Sequence, residues 1–509
     1  MSHAGPGLAH SNISDALARS RLGVPSIIFF MMSAAAPFLV VAGATTTAYA
    51  VTRITAIPIA FIAVALVLAI FSIGYVAMAR QITNAGAFYT YVARGLGRIP
   101  GVSAAFVAVL AYNALQIALY GGFGVLAQGL AQEKFGWDAA WWVWALGAWV
   151  IVAILGLLRV DLNGKVLAVL LLAEIAILLI YDFFNLSNPA GGTVDFSPLN
   201  PSGLFTAGIG AALILAMTGF VGFESAAIFS EEAKNPRRTV PVATFLTLII
   251  IAVLYALSSW AMSVATGVDR IVEVSGTDSV FTLMGLAAQN INTTFADIGG
   301  YLLVTSMFAG LLAFHNAVAR YLFALGRENV LPRALGQTSQ RSGAPRTASV
   351  VQSVLAVIVI GTYAILNIDP LVKLFFWVGM LGGFGVLLLV TVTSVAVIAY
   401  FAKTPGEENA ITRFLAPAVS AILLGIMSVV AFINFDTLLG VPPTDNARYI
   451  LPALYLLAII LGIVWAATLR VSNRRAYESI GLGANAATGR SFSDADLNPP
   501  TSAPTGAGW

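Results

Sequence analysis

The sequence predicts an all-α, polytopic membrane protein with twelve transmembrane helices. Three observations carry that prediction. About twelve apolar runs recur along the 509 residues, parted by short polar loops, and each is close to the roughly 20 residues that cross a bilayer core as a helix. Only 10% of the residues are charged while 59% are hydrophobic, whereas a soluble domain carries roughly 25% charge. The positive charge is also one-sided. Of the 26 lysines and arginines, only Arg53, Lys134, Arg270, Lys373 and Arg448 fall on one side of the threaded chain. The positive-inside rule makes the other side cytoplasmic and places both termini there.

Residues 1–23 are polar and mixed, with no apolar stretch of signal-peptide type, so they read as a cytoplasmic arm and the first membrane helix as the insertion signal. Helices are expected at about 25–50, 54–79, 101–130, 140–158, 165–186, 203–232, 239–267, 297–325, 347–368 and 370–401, filling a core over 24–402. Two more, at about 413–435 and 449–470, fall in the segment 403–472. Segment 268–296 is polar and is expected outside, with Val280–Asn290 as a short surface helix. Trp137, Trp141, Trp142, Trp144 and Trp149 cluster where the fourth helix starts, as in an interfacial aromatic belt. Residues 473–509, rich in Ser, Ala, Gly, Pro and Asp, are expected to form a disordered cytoplasmic tail.

Two helices are irregular. The first reads IIFFMMSAAAPFLVVAGATTTAY, and Pro37 removes a backbone donor in its middle. The sixth passes from AGIGAALILAM into TGFVGFESAAIFSEEAKNPRRTVP, where Gly219 and Gly222 weaken the helix. The two stand five places apart in the order of helices, so they run in opposite directions. That is the pattern of an inverted repeat, helices 1–5 against 6–10, with a binding site at the repeat interface.

GFESAAIFSEEAKNPRRTVP at Gly222–Pro241 resembles the sixth-helix signature of the amino acid–polyamine–organocation (APC) superfamily permeases, bacterial amino acid permeases among them. NAGAFYTYVARGLGRIPG at Asn84–Gly101 is similar to their loop between helices two and three, and ARYLFALGRENVLPRALG at Ala319–Gly336 to the loop after helix eight. The resemblance implies a five-plus-five inverted-repeat (LeuT-like) core with helices 1 and 6 broken, and helices 11 and 12 added. Many members carry a glycine-rich break in the first helix, where this chain has SAAAPF.

Broken helices offer free amides to a carboxylate and free carbonyls to an ammonium. Ala35, Ala36, Pro37 and Phe38 are therefore expected on one side of a substrate site, and Thr218, Gly219, Phe220, Val221 and Gly222 on the other. Gln116 of the third helix is placed to reach it. The motif match implies Phe314 as an aromatic wall, with His315 beside it as the only histidine inside the membrane. Glu224 and Glu174 are carboxylates at membrane depth, where an unpaired charge is costly. Glu224 reads as a gate or as an acceptor joining helices, and Glu174 as a proton-coupling site or a neutral acid held by a neighbouring helix. Some family members place a lysine near the position of Glu174. Glu231 and Glu232 are expected to pair with Lys234, Arg237 or Arg238.

The leading reading is a secondary active transporter of amino acids or related amines in the inner (plasma) membrane, proton-coupled and working by alternating access as a monomer or homodimer. A polyamine or cationic amine permease, or an exchanger, is the alternative within the class. Sodium coupling keeps Ser33, Thr305 and Ser306 as oxygen ligands. A channel needs a continuous polar lining that the helices lack. No nucleotide-binding or hydrolase motif and no paired metal ligands support an enzyme, a cofactor or a metal site. The formal charge of +3 gives no footing for nucleic acid. No cysteine is present, which excludes disulfide and thiol chemistry.

Overall fold

A computed structural model describes residues 13–14, 17, 21–206, 208–339, 342–404 and 406–483. Each of the twelve predicted segments contains a helix, here α1 (Val24–Thr52), α2 (Ile57–Gln81), α3 (Arg98–Phe135), α4 (Trp141–Leu157), α5 (Val160–Ser187), α6 (Ile209–Gly219), α7 (Pro236–Thr266), α8 (Thr293–Arg327), α9 (Arg346–Ile365), α10 (Pro370–Lys403), α11 (Ile411–Ile433) and α12 (Ala447–Ser472). Among the described residues, 11 helices are long and apolar enough to cross a membrane. Ten are predicted segments. The eleventh, Ile271–Asn290, lies in the stretch expected outside, where it is two helices, Ile271–Asp278 and Thr282–Asn290. α4 and α6 are shorter, at 17 and 11 residues.

α1 packs on α5, α7 and α8, and α2 packs along α7. α3 is the spine of the other half, in contact with α8, α10 and α12. α4, α9, α11 and α12 present apolar side chains outward, among them Ile154, Ile358, Ile426 and Leu457. A surface dressed in such residues belongs against lipid rather than water. Trp137 and Trp142 are exposed at the start of α4.

The sixth helix is shorter than expected. α6 stops at Gly219, and the chain continues through turns and single 3₁₀ turns at Ser225–Ala227 and Ser230–Glu232 before α7 begins. The terminal segments also differ from a simple arm and tail. Ile13–Ser14 pairs antiparallel with Thr338–Ser339, and Leu22 bridges to Ala233. The stretch expected to open a disordered tail begins instead with a helix, Arg474–Ser479, and stays packed to Gly483, with Ile480 fully buried. The apolar Ile480 and Leu482 supply the burial that polar composition alone concealed. The rest of the expected tail, and residues 1–12 of the arm, lie outside the described residues.

Candidate functional site

α1 breaks at Ala36. Its backbone is left-handed, φ 47° and ψ 69°, and Pro37 follows with no amide to donate. The interruption frees backbone groups in an apolar interior, and each must find a partner. The Phe38 amide donates to Glu174 Oε2 at 3.3 Å, and Ser306 Oγ of α8 donates to the same oxygen at 2.7 Å. On the other side of the break, the Tyr255 hydroxyl of α7 donates to the Ala35 carbonyl at 3.3 Å. Glu174 is thus the cap of the second half of α1, supplied from α5.

The break after α6 is capped from within. The Gly222 amide donates to Glu224 Oε2 at 2.9 Å, and the Tyr112 hydroxyl of α3 donates to Glu224 Oε1 at 2.6 Å. The Tyr75 hydroxyl of α2 donates to the Glu224 carbonyl at 2.7 Å. Gly222 has φ 115°, and a Cβ there would stand 2.8 Å from Ala34 Cβ and 3.0 Å from the Ala35 amide nitrogen. The two broken helices cross at this glycine, and no other residue fits the crossing.

Between the breaks lies a cavity of about 140 Å³. Ala35, Ala36, Leu39 and Val40 form one wall, Thr218, Gly219 and Val221 a second, and Leu115 and Leu119 of α3 a third. Phe314 of α8, Phe375 and Phe376 of α10, and Val280 of the 282–290 region's leading turn complete it. Among the described residues, Thr47 and Thr218 are its only hydroxyl-bearing side chains, and no charged side chain lines it. Thr218 Oγ1 already donates to the Leu215 carbonyl at 2.7 Å. Apart from the Thr47 hydroxyl, the polar groups beside the cavity are therefore those of the backbone at the breaks, and the side chains supply an apolar enclosure.

Of the expected site residues, Ala35, Ala36, Thr218, Gly219, Val221 and Phe314 line this cavity. Pro37 and Phe38 sit behind the wall, with the Phe38 ring edge-on to Tyr181 at 6.3 Å. Phe220 packs between Phe61 and Tyr255, and Gly222 lies at the crossing. Gln116 and His315 belong to a different structure, a buried polar chain through the scaffold. His315 Nε2 meets Ser349 Oγ at 2.7 Å, its Nδ1 meets Gln116 Nε2 at 3.2 Å, and Gln352 donates to Gln116 Oε1. That chain ties α3, α8 and α9 together. No group of three or more acidic, histidine or cysteine residues positioned for a metal occurs among the described residues.

Glu231 and Glu232 pair with α8 rather than with Lys234, Arg237 or Arg238. Glu232 forms a buried bidentate pair with Arg320, at 2.5 and 3.0 Å. Glu231 forms another with Arg327, at 2.6 and 2.7 Å. The basic loop residues were nearer in sequence, but Arg320 and Arg327 lie seven apart on one face of α8 and meet both acids at once. Arg320 also stands over the Phe229 ring at 4.8 Å.

Sequence reasoning passed over Tyr112, which lies four residues before Gln116 on the same helix and could have been found by that spacing. It also passed over Asp182, a buried acid in α5 whose Oδ2 accepts from Ser258 Oγ at 2.7 Å. A lone acid in the run LLIYDFFN carries the same signal that drew attention to Glu174. Phe375 and Phe376 gave no signal, since an aromatic pair in an apolar helix is ordinary.

Comparison with known proteins decides the family. A family model described as amino acid permease matches residues 22–465. The chain belongs to the amino acid permease family. The branched-chain amino acid permease BcaP of Bacillus subtilis is 24% identical over 387 residues, 73% of this chain and 79% of that protein. BcaP of Lactococcus lactis is 24% identical over 55% of this chain and 63% of its own length. The D-serine/D-alanine/glycine transporter of Escherichia coli K12 is 26% identical over 40% of this chain and 45% of its own. Permease membership brings with it a small-molecule substrate and a multi-pass place in the membrane. The matched span contains both breaks, the cavity and the α8 arginines.

Proposed function

We propose that this permease carries small neutral amino acids with apolar side chains across the cytoplasmic membrane, by alternating access and coupled to protons. The observation that carries the reading is the cavity itself. Two broken helices meet in it, its walls are aliphatic and aromatic, and no carboxylate enters the lining. An α-carboxylate and α-ammonium suit the backbone amides and carbonyls that the breaks take out of the helical ladder, while the side chain meets Val40, Leu119, Val221 and Phe314. At about 140 Å³ the space is well below the roughly 300 Å³ of drug-sized pockets, in keeping with a small solute. A polyamine or other cationic amine finds no acid in the wall, because Glu174 and Glu224 are both occupied behind it.

The same reading takes the twelve helices as the membrane spans, with helices 1–5 and 6–10 as an inverted repeat and both termini cytoplasmic. α1, α2, α6 and α7 rock against the rest. Glu174 is the proton carrier. Among the described residues it has no cation partner, and its carboxylate holds the Phe38 amide at the break, so a proton arriving or leaving there changes the cap of a helix that lines the substrate. The test is uptake into proteoliposomes against a panel of amino acids and amines, with and without pH and sodium gradients. Leucine, valine or alanine uptake driven by an inward proton gradient is expected. Uptake of putrescine or arginine in preference to these, or dependence on sodium alone, overturns the assignment.

A further inference from the structure

Glu328, at the end of α8, is fully buried and has no place in the substrate site. Its carboxylate collects four donors. Asn84 Nδ2 reaches Oε1 at 2.9 Å, the Tyr89 hydroxyl reaches Oε2, and two amides arrive from beyond α12, Gly481 at 2.5 Å and Gly483 at 2.7 Å. Ser479 Oγ donates to the Glu328 carbonyl at 2.7 Å. Gly481 and Gly483 have φ 79° and 59°. Alternating left-handed glycines turn successive amides to one side and make a nest for an anion. A Cβ on Gly483 would come within 2.8 Å of Asn84 Nδ2, so the fit leaves no room for another residue. Further out, Arg98 Nη2 donates to the Glu478 carbonyl at 3.3 Å, and its guanidinium stands over Tyr477 at 5.3 Å. Burial pushes the Glu328 carboxyl above its ordinary range, and the donors from Tyr89, Asn84 and Gly481 pull it back.

We propose that residues 474–483 are a latch that holds the arginine-rich face of the permease shut and sets how often it opens. The inference rests on the alternating-access reading above. Asn84 leads out of α2, in the half that rocks. Glu328 ends α8, in the half that stays, and the segment itself hangs from α12. One carboxylate therefore fastens three elements that must part when this face opens, and the two glycine amides are the fastening contributed by the latch. Its partner is the chain's own terminal segment, recognised by backbone amides rather than by side-chain charge.

The absence of native cysteine makes the test direct. Ser230→Cys, in the buried segment after the α6 break, reports access from the arginine-rich face to a membrane-impermeant maleimide in inside-out vesicles. Gly481→Ala with Gly483→Ala, in the full chain, is expected to speed labelling about tenfold, the scale of one lost charge-assisted hydrogen bond. Removal of everything after Asn473 is expected to do the same, and a synthetic peptide of residues 474–483 is expected to slow it again. Should the truncated chain fail to reach the membrane, the double glycine variant gives the same reading in an intact chain. Equal rates with and without the latch overturn the proposal. So does faster labelling that the peptide leaves unchanged, since that marks general loosening. Labelling needs no substrate, so a reporter whose rate never responds to amino acid in the latched chain counts against alternating access instead.

Discussion

The two helix breaks solve one problem in opposite ways. In α1 the interruption is a single left-handed residue, and the freed amide is capped by a carboxylate from another helix, Glu174. After α6 the interruption runs on to α7, and the freed amide is capped by a carboxylate two residues away, Glu224. The first cap depends on where α5 and α8 stand. The second travels with its own segment and is fixed to α2 and α3 by two tyrosine hydroxyls. A cap borrowed from a neighbour can be lost when helices move or when it takes a proton, whereas a cap supplied locally persists. The difference supports the proposed division of labour, sensing at Glu174 and shape at Glu224, although both are buried carboxylates beside a break.

The most severe way to break this comparison is to deny the two helices their crossing. Gly222→Ala places a methyl 2.8 Å from Ala34 Cβ and 3.0 Å from the Met31 carbonyl, on a backbone that L-residues rarely adopt. Strain and overpacking together are expected to cost about 4 kcal/mol, read as a large fall in folded yield and thermal midpoint in detergent. Glu224→Ala comes next. It leaves the Gly222 amide and the Tyr112 hydroxyl buried without an acceptor, an expected loss of about 3 kcal/mol. Glu224→Gln, which keeps one acceptor oxygen, is expected to recover most of it and to transport with unchanged pH dependence. A Glu224→Gln protein that folds but loses its pH response would move the sensor from α5 to the segment after α6 and reverse the assignment.

Composition and charge placement made the membrane class readable, because the bilayer demands long apolar helices and one-sided arginines whatever the tertiary detail. The breaks were readable for a local reason. Pro37, Gly219 and Gly222 act on their own backbone, so their effect is written at their own positions. What remained hidden depends on which helices face one another. His315 and Gln116, expected at the substrate site, bond to each other and to Ser349 in the scaffold rather than lining the cavity. Glu232 found Arg320, 88 residues away, rather than the basic loop beside it. The nest on Glu328 was least visible, since Ser-Ile-Gly-Leu-Gly reads as tail composition until a buried carboxylate stands over it.

Glu174→Gln tests the borrowed cap directly. Glutamine retains an oxygen for Phe38 or Ser306 but carries no exchangeable charge, so stability is expected to fall by only about 1 kcal/mol. Accumulation driven by a pH gradient is expected to vanish while counterflow of labelled substrate continues, because exchange needs the site but not the proton. Accumulation that survives the substitution with its pH dependence intact removes Glu174 from coupling and leaves it a purely structural cap, like Glu224.

The smallest effect is expected at the far side of the α1 break. Tyr255 donates to the Ala35 carbonyl at a long 3.3 Å, and its ring remains packed on Phe61 and Phe220 when the hydroxyl is removed. Tyr255→Phe is therefore expected to cost only about 0.5–1 kcal/mol in stability. The Ala35 carbonyl belongs to a residue of the cavity wall, however, and freeing it gives the site one more acceptor for an ammonium. The predicted signature is a nearly unchanged thermal midpoint with an altered apparent affinity for amino acid and no change for analogues lacking the amine. An equal shift for both kinds of ligand would show that the hydroxyl shapes the cavity as a whole, and that the two halves of the α1 break are not separable in the way the two caps imply.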